Sequence, residues 1–302
     1  MTHNQTISFL TRRFREIGIR PMTRHGQNFL IDANLQQLLV NRANLDFKDV
    51  VLEVGTGTGS LTLLLADRVT AVVSVEIDRH LHELARDELE DCHNVYLLQY
   101  DVLASKNRIE SRVMEAVQRT VVEKQARHWK LVANLPFNVA TPLISNLLLV
   151  DDAPRSMTVT IQRELADRIV AKPSTKDYGA LSVWIQSQCT AEIVRQLPPS
   201  VFWPRPKVES AIIHIERDDH RRDAIPDRRY WHDFARALFF HRRKYLRTVL
   251  QSAFKRRLTK EEVGQVIQQC HVVPTVRGEQ LSLEQVFTLC EAFRLRVPEW
   301  SL

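Results

Sequence analysis

Two kinds of segment alternate along the first two thirds of this chain. Short apolar runs rich in β-branched residues occur at 50–54, 71–76, 95–101, 130–133 and 157–161. Between them, apolar positions recur at helical spacing over 32–41, 61–69, 78–89 and 141–149. Residues 105–127 are charged, also with helical spacing, and form a long connection. Strand followed by helix, repeated, predicts a parallel sheet with crossover helices. Two later runs, 191–196 and 210–215, are joined by a proline-rich loop, 198–207. That connection suits an antiparallel pair better than another crossover. From Tyr230 onward the periodicity is helical throughout, roughly 230–240, 242–256, 259–269 and 279–294.

The expected fold class is therefore α/β. Seven strands with a late antiparallel pair match a Rossmann-like class I methyltransferase sheet, and a small C-terminal all-α domain follows. The boundaries read as a basic N-terminal arm (1–25), a catalytic domain (26–216), a charged linker (217–228) and a helical domain (229–302). Composition agrees with two domains, because 302 residues with 44% hydrophobic character suffice for a sizeable core.

Charge adds a class of partner. The formal net charge is +6, which favours a polyanion. Arg12, Arg13, Arg15, Arg20 and Arg24 face one acid, Glu16, in the arm. Arg242, Arg243, Lys244, Arg247, Lys255, Arg256 and Arg257 follow one another with no acid between His241 and Leu258. Solvated faces normally mix signs, so this single-sign run reads as a nucleic-acid footprint. The four cysteines form no Cys-x-x-Cys, and neither a metal site nor a disulfide framework is expected. No apolar run approaches the ~20 residues of a membrane span. A cytoplasmic monomer is expected, although the basic arm also fits a transit peptide.

The candidate chemistry sits at strand ends, where open α/β sheets bind ligands. Strand 50–54 runs into Gly55-Thr56-Gly57-Thr58-Gly59. Its glycine spacing lacks the lysine of a phosphate loop and has the third glycine one residue early for a dinucleotide fingerprint. The spacing instead suits S-adenosylmethionine. Glu76 ends the second strand about twenty residues later, where an acid accepts ribose hydroxyls. Asp78 reads as a helix N-cap. Asp101 ends the third strand and is either an adenine acceptor or a turn residue. Asn134-Leu135-Pro136-Phe137 ends the fourth. Alone, it is a strand terminator or a clamp for an exocyclic amino group, with amide and carbonyl as acceptors and a ring over the base.

These segments resemble the rRNA adenine N6,N6-dimethyltransferases of the KsgA type. The resemblance rests on 26–30 (Gly-Gln-Asn-Phe-Leu), 51–62, 75–78, Asp101, 134–137, 178–182, 202–210 (Phe-Trp-Pro-Arg-Pro-Lys-Val-Glu-Ser) and 240–244 (Phe-His-Arg-Arg-Lys), in family order. It implies S-adenosylmethionine contacts from Asn28, Leu30, Gly55, Gly57, Glu76, Asp101 and Asn134. It also implies that Leu135 and Pro136 present a carbonyl to the target, and that Phe137 and Phe202 sandwich the target base. Arg242, Arg243, Lys244 and Arg247 would bind RNA. The implied substrate is two adjacent adenosines in the 3′-terminal hairpin loop of small-subunit rRNA, with a role in subunit biogenesis. Alternatives are a large-subunit rRNA dimethylase of the resistance type and a non-catalytic assembly factor. Two departures stand out: Thr56 where the family often has Pro, and Phe137 where Tyr is common.

Overall fold

A computed structural model describes residues 7–16 and 27–302. The arm residues Arg20 and Arg24, and Gly26, lie outside the described residues. Strands are β1 (Phe29–Leu30), β2 (Asp49–Val54), β3 (Ala71–Glu76), β4 (Val95–Gln99), β5 (Leu103–Ser105), β6 (Arg108–Ile109), β7 (His128–Asn134), β8 (Ser156–Gln162), β9 (Cys189–Leu197), β10 (Phe202–Trp203) and β11 (Ser210–Arg217). Helices are α1 (Ile7–Glu16), α2 (Ala33–Arg42), α3 (Ser60–Ala66), α4 (Arg79–Glu88), α5 (Ser111–Glu123), α6 (Ala140–Leu147) and α7 (Arg163–Val170). They continue with α8 (Ala180–Gln186), α9 (Asp219–Asp223), α10 (Arg228–Phe239), α11 (Leu246–Ala253), α12 (Lys260–Gln269) and α13 (Leu283–Arg296).

Seven strands form one sheet in the order β4-β3-β2-β7-β8-β11-β9. β2 pairs in parallel with β3 and β7, β3 with β4, and β7 with β8. β11 runs antiparallel to β8, with Ser210 opposite Gln162 and Glu216 opposite Ser156. The expected Rossmann-like sheet with its late antiparallel strand is thus present. Every residue of β2 and β3 is buried, as a central parallel sheet covered on both faces requires. The strand order reverses between β2 and β7, and a crevice opens at such a switch point beyond the carboxyl ends of the strands. Gly55 and Asn134 stand at those two ends.

Compact packing divides the chain into residues 1–166 with 192–216, and residues 167–191 with 217–302. The sequence reading had kept 167–191 in the catalytic domain. Side chains on this segment explain its placement with the C-terminal helices. Trp184 stacks edge-on against His232 at 4.8 Å, the Trp231 indole donates to Ser187 Oγ at 2.8 Å, and Arg222 donates to Gln188 Oε1 at 2.5 Å.

Other local expectations change. The long connection contains a β5–β6 hairpin before α5. Phe29 and Leu30 pair with Trp203 and Phe202 in a separate two-stranded ribbon. The helix expected over 242–256 is confined to Leu246–Ala253. Residues 240–245 turn instead, with the Lys244 N–H on the His241 carbonyl.

One buried ion pair joins the first and fourth sheet strands. Lys130 Nζ lies 2.7 Å from Asp49 Oδ2, with both side chains below 10% exposed. Lys130 also donates to the Asn44 carbonyl at 2.6 Å. Replacing Lys130 by Met takes away the buried Asp49's counter-ion and leaves it the Asp46 N–H; breaking such a pair costs about 3–5 kcal/mol. Lys130→Met is expected to lower unfolding free energy by about 3 kcal/mol in urea titration. A loss below about 1 kcal/mol would show that Asp49 finds water or another donor.

Candidate active site

The pocket lies wholly within the first unit and is floored by the turn after β2. Gly55, Gly57 and Gly59 all have positive φ. Two of them also leave little room for a side chain. A Cβ on Gly57 would sit 3.0 Å from the Phe29 ring, and one on Gly55 would sit 3.3 Å from the Pro136 ring. Glycine therefore lets both the N-terminal lead and the 134–137 segment close over the turn. Thr56, the departure noted above, is tied in place by its hydroxyl, 2.6 Å from Ser74 Oγ.

Glu76 ends β3 with 4% exposure. Its Oε2 accepts from the Gly57 N–H and its Oε1 from the Asp78 N–H, each at 2.9 Å. Burial raises its pKa, and the two backbone N–H bonds work against that shift. Asp78 caps α4, accepting from the His80 and Leu81 N–H groups, as expected. Asp101 lines the pocket but is exposed; its Oδ1 accepts from the Leu103 N–H at 2.9 Å. A turn role and a pocket position therefore coexist in it.

The lead is strapped down by two side chains, Asn134 and one the sequence does not single out, Gln36. Gln36 of α2 donates to the Leu30 carbonyl at 2.6 Å and to Ser60 Oγ at 3.1 Å. Asn134 Nδ2 donates to the Asn28 carbonyl at 2.8 Å. That bond fixes the amide orientation, since a carbonyl can only accept. Asn134 Oδ1 is left buried without a hydrogen-bond partner, and Asn134 lines the pocket. Leu135 is buried and donates its N–H to the Thr160 carbonyl at 3.2 Å. Pro136 lines the pocket beside it.

Phe137 is partly exposed and does not line the pocket itself, although Pro136 and Asn138 on either side do. Phe202 is placed differently from the expectation. It is 2% exposed and packs in a core cluster with Leu30, Leu39 and Leu61. The structure does not bring it to an open base-stacking position. In the second unit, Arg243, Lys244 and Arg247 are exposed. Arg242 is engaged, donating to the Lys176 carbonyl at 2.6 Å, the Tyr178 carbonyl at 3.2 Å and Glu279 at 3.2 Å.

Glu53 was missed. It is 1% exposed, and its Oε2 accepts from Thr62 and Ser74 hydroxyls at 2.6 Å each. Its Oε1 is buried without a partner, and the residue lines the pocket. Burial raises its pKa to about 7; the two hydroxyls oppose the shift and Glu76 adds to it. The available signal was a single carboxylate inside an otherwise apolar strand. A folded-state pKa above the unfolded value means that the folded protein holds the extra proton between the two. Stability from this group is therefore complete below about pH 4.5 and is lost as pH rises to about 7. Wild type should lose on the order of 3 kcal/mol relative to Glu53→Gln between pH 5 and pH 8. Parallel denaturant curves that show no such difference would reject a neutral buried Glu53.

The orphan acceptor Asn134 Oδ1, together with the carboxylates of Glu53 and Glu76 in their ionised forms, makes a pocket that wants donors. S-adenosylmethionine supplies them as an ammonium, two ribose hydroxyls and an adenine amine, and it has no pyrophosphate needing a basic loop. No group of His, Cys, Asp and Glu among the described residues could hold a metal ion. No helix among them is long and apolar enough to cross a membrane.

Known proteins agree with this chemistry. The chain is 37% identical to Ribosomal RNA small subunit methyltransferase A of Caldanaerobacter subterraneus, over 91% of this chain and 97% of that protein. It is 36% identical to the protein of that name from Streptococcus sanguinis, over 89% and 90%. A dimethyladenosine transferase from Plasmodium falciparum shares the fold, with TM-score 0.71, 19% identity and coverage of 88% and 97%. So does the 23S rRNA methyltransferase ErmE, with TM-score 0.59, 24% identity and coverage of 88% and 99%. The cofactor is S-adenosylmethionine. Residues 20–293 match the model of the ribosomal RNA adenine dimethylases, and this chain, with its glycine turn, strand-end acids and Asn134 amide, belongs to that family.

Proposed function

We propose that this protein methylates N6 of two adjacent adenosines in the 3′-terminal hairpin loop of small-subunit rRNA, giving dimethyladenosines. The observation that carries the reading is Asn134 Oδ1, a buried acceptor with no partner at the carboxyl end of β7. The small-subunit methyltransferases that resemble the chain along most of its length support the choice of subunit.

The exocyclic nitrogen of adenine is a weak nucleophile because its lone pair is delocalised into the ring. Asn134 Oδ1 and the Leu135 carbonyl accept its hydrogens and draw it toward tetrahedral geometry, so that the lone pair faces outward. The cofactor supplies an electrophilic sulfonium methyl. As the N–C bond forms and the C–S bond breaks, positive charge grows on N6, and the same two acceptors stabilise it. One N6 proton then leaves to water for each methyl transferred. Among the described residues neither His nor Cys lines the pocket, and this route requires no strong base. Phe137 covers the base face, where stacking contributes about 1–3 kcal/mol. Its ring suffices for that contact without a hydroxyl. Glu76 holds the ribose, Asp101 the cofactor adenine and Glu53 the ammonium, while Asn28 and Leu30 close the pocket from above. Arg243, Lys244 and Arg247 contact rRNA phosphates, and Arg242 shapes the turn that presents them. An unpaired loop adenosine is cheaper to extract than one in a duplex.

Labelled S-adenosylmethionine, incubated with small subunits lacking the modification and with large subunits in parallel, tests the assignment once the labelled nucleotides are mapped. Label is expected on two neighbouring adenosines of the small subunit. Label confined to large subunits would give the resistance-type substrate instead, and none on either would favour a non-catalytic assembly factor.

A further inference from the structure

The helical unit contains a second concavity that the methyl-transfer site does not use. Trp300 forms its floor, donating its indole N–H to the Ala253 carbonyl at 3.1 Å and stacking on Phe254 at 4.6 Å. Phe254 stacks in turn on Phe293 at 4.5 Å, so this floor is fixed by the core. The rim is of another character. Phe240 is 74% exposed, an unusual state for a phenylalanine, and meets His241 edge-on at 4.7 Å. Lys255, Arg256 and Arg257 line the same concavity and are all exposed. Glu299 and the terminal Leu302 line it as well, but none of the three cations enters an ion pair among the described residues.

An open aromatic ring beside three cations that outnumber the acids around them and form no ion pair matches one ligand chemistry well. Bases offer a π-face to stack, and the flanking phosphates offer charge. A protein partner with an apolar face would leave the three cations without counterions. A duplex would satisfy the cations but would present no free base to the ring. We infer that Phe240, Lys255, Arg256 and Arg257 form a second nucleotide site, which takes an unpaired ribonucleotide with its base on Phe240 and its phosphates on the three cations. The inference rests on the reading above that the substrate is ribosomal RNA. It adds an anchor remote in sequence from the methyl acceptor and independent of the cofactor.

The test is binding of the full chain to a short single-stranded oligouridylate and to an RNA duplex of equal length. Phe240→Ala is expected to weaken single-strand binding about tenfold, the lower part of the range for one base stack, and to leave duplex binding unchanged. Phe240→Tyr should restore it. Replacing Lys255, Arg256 and Arg257 together by Ala should reduce the slope of log affinity against log salt by about 2, at roughly 0.7 per single-strand phosphate. Unchanged single-strand affinity in Phe240→Ala, or equal weakening of the duplex, would overturn the site. The probe does not depend on methylation. Loss of rRNA labelling with this pattern intact would therefore count against the substrate reading and not against the pocket.

Discussion

Asn134→Ala is expected to lower turnover about 10²- to 10³-fold, the range seen when one preorganised stabilising group is removed, while cofactor affinity changes only a few-fold. The argument starts from the two ends of one amide. Nδ2 is spent on the Asn28 carbonyl, so it orients the side chain. Oδ1 has no partner, so it is the end available to a substrate donor. Removing the amide deletes the acceptor that reshapes N6 and also releases the lead from its strap. Asn134→Asp separates these two effects. It keeps an acceptor in the pocket but turns the other end into an oxygen facing the Asn28 carbonyl, where donor has become acceptor. That variant should retain little turnover and should also bind cofactor more weakly than Asn134→Ala. Single-turnover labelling with small subunits, paired with calorimetric titration of S-adenosylmethionine, reads both quantities. If Asn134→Ala loses cofactor affinity and turnover in equal measure, its amide serves the cofactor alone.

Much of this site was legible because it lies at strand ends. β-branched runs mark the strands, and a polar residue that closes such a run must stand at the sheet's rim. Glu76 and Asn134 follow from that rule, Gly55 from the glycine spacing after β2, and the crevice at the β2–β7 switch point then brings them together. Phe202 did not follow. The family resemblance implied a stacking ring, but pairing with Leu30 in a two-residue ribbon turns it into the core. No periodicity signals so short a pairing between residues far apart in the chain. The basic run after His241 reads as part of one helix because its apolar positions keep helical spacing. Arg242 instead satisfies two backbone carbonyls and Glu279, contacts that no local pattern can announce. Glu53 was hidden for the opposite reason. It sits within a strand rather than at its end, and its hydroxyl partners lie nine and twenty-one residues away.

Glu76→Ala should act on the cofactor first, raising its dissociation constant about 100-fold while kcat at saturating cofactor stays within a few-fold. Hydrogen bonds to a charged group are worth about 1.5–3 kcal/mol each, and two ribose hydroxyls sharing one carboxylate make a loss near 3 kcal/mol, or about 100-fold. The carboxylate also holds the Gly57 and Asp78 N–H groups, so its removal loosens the glycine turn and adds to the same effect. The ionised form is the better acceptor, and burial raises the pKa of this group. Cofactor affinity in wild type should therefore fall as pH drops toward that raised value. Glu76→Gln keeps one acceptor oxygen and cannot titrate, so it should bind more weakly at neutral pH, with a flatter dependence on pH. Calorimetry across the acidic range decides the matter. An affinity in Glu76→Ala equal to wild type would remove Glu76 from ribose binding, and the capped backbone of the turn would then be its sole task.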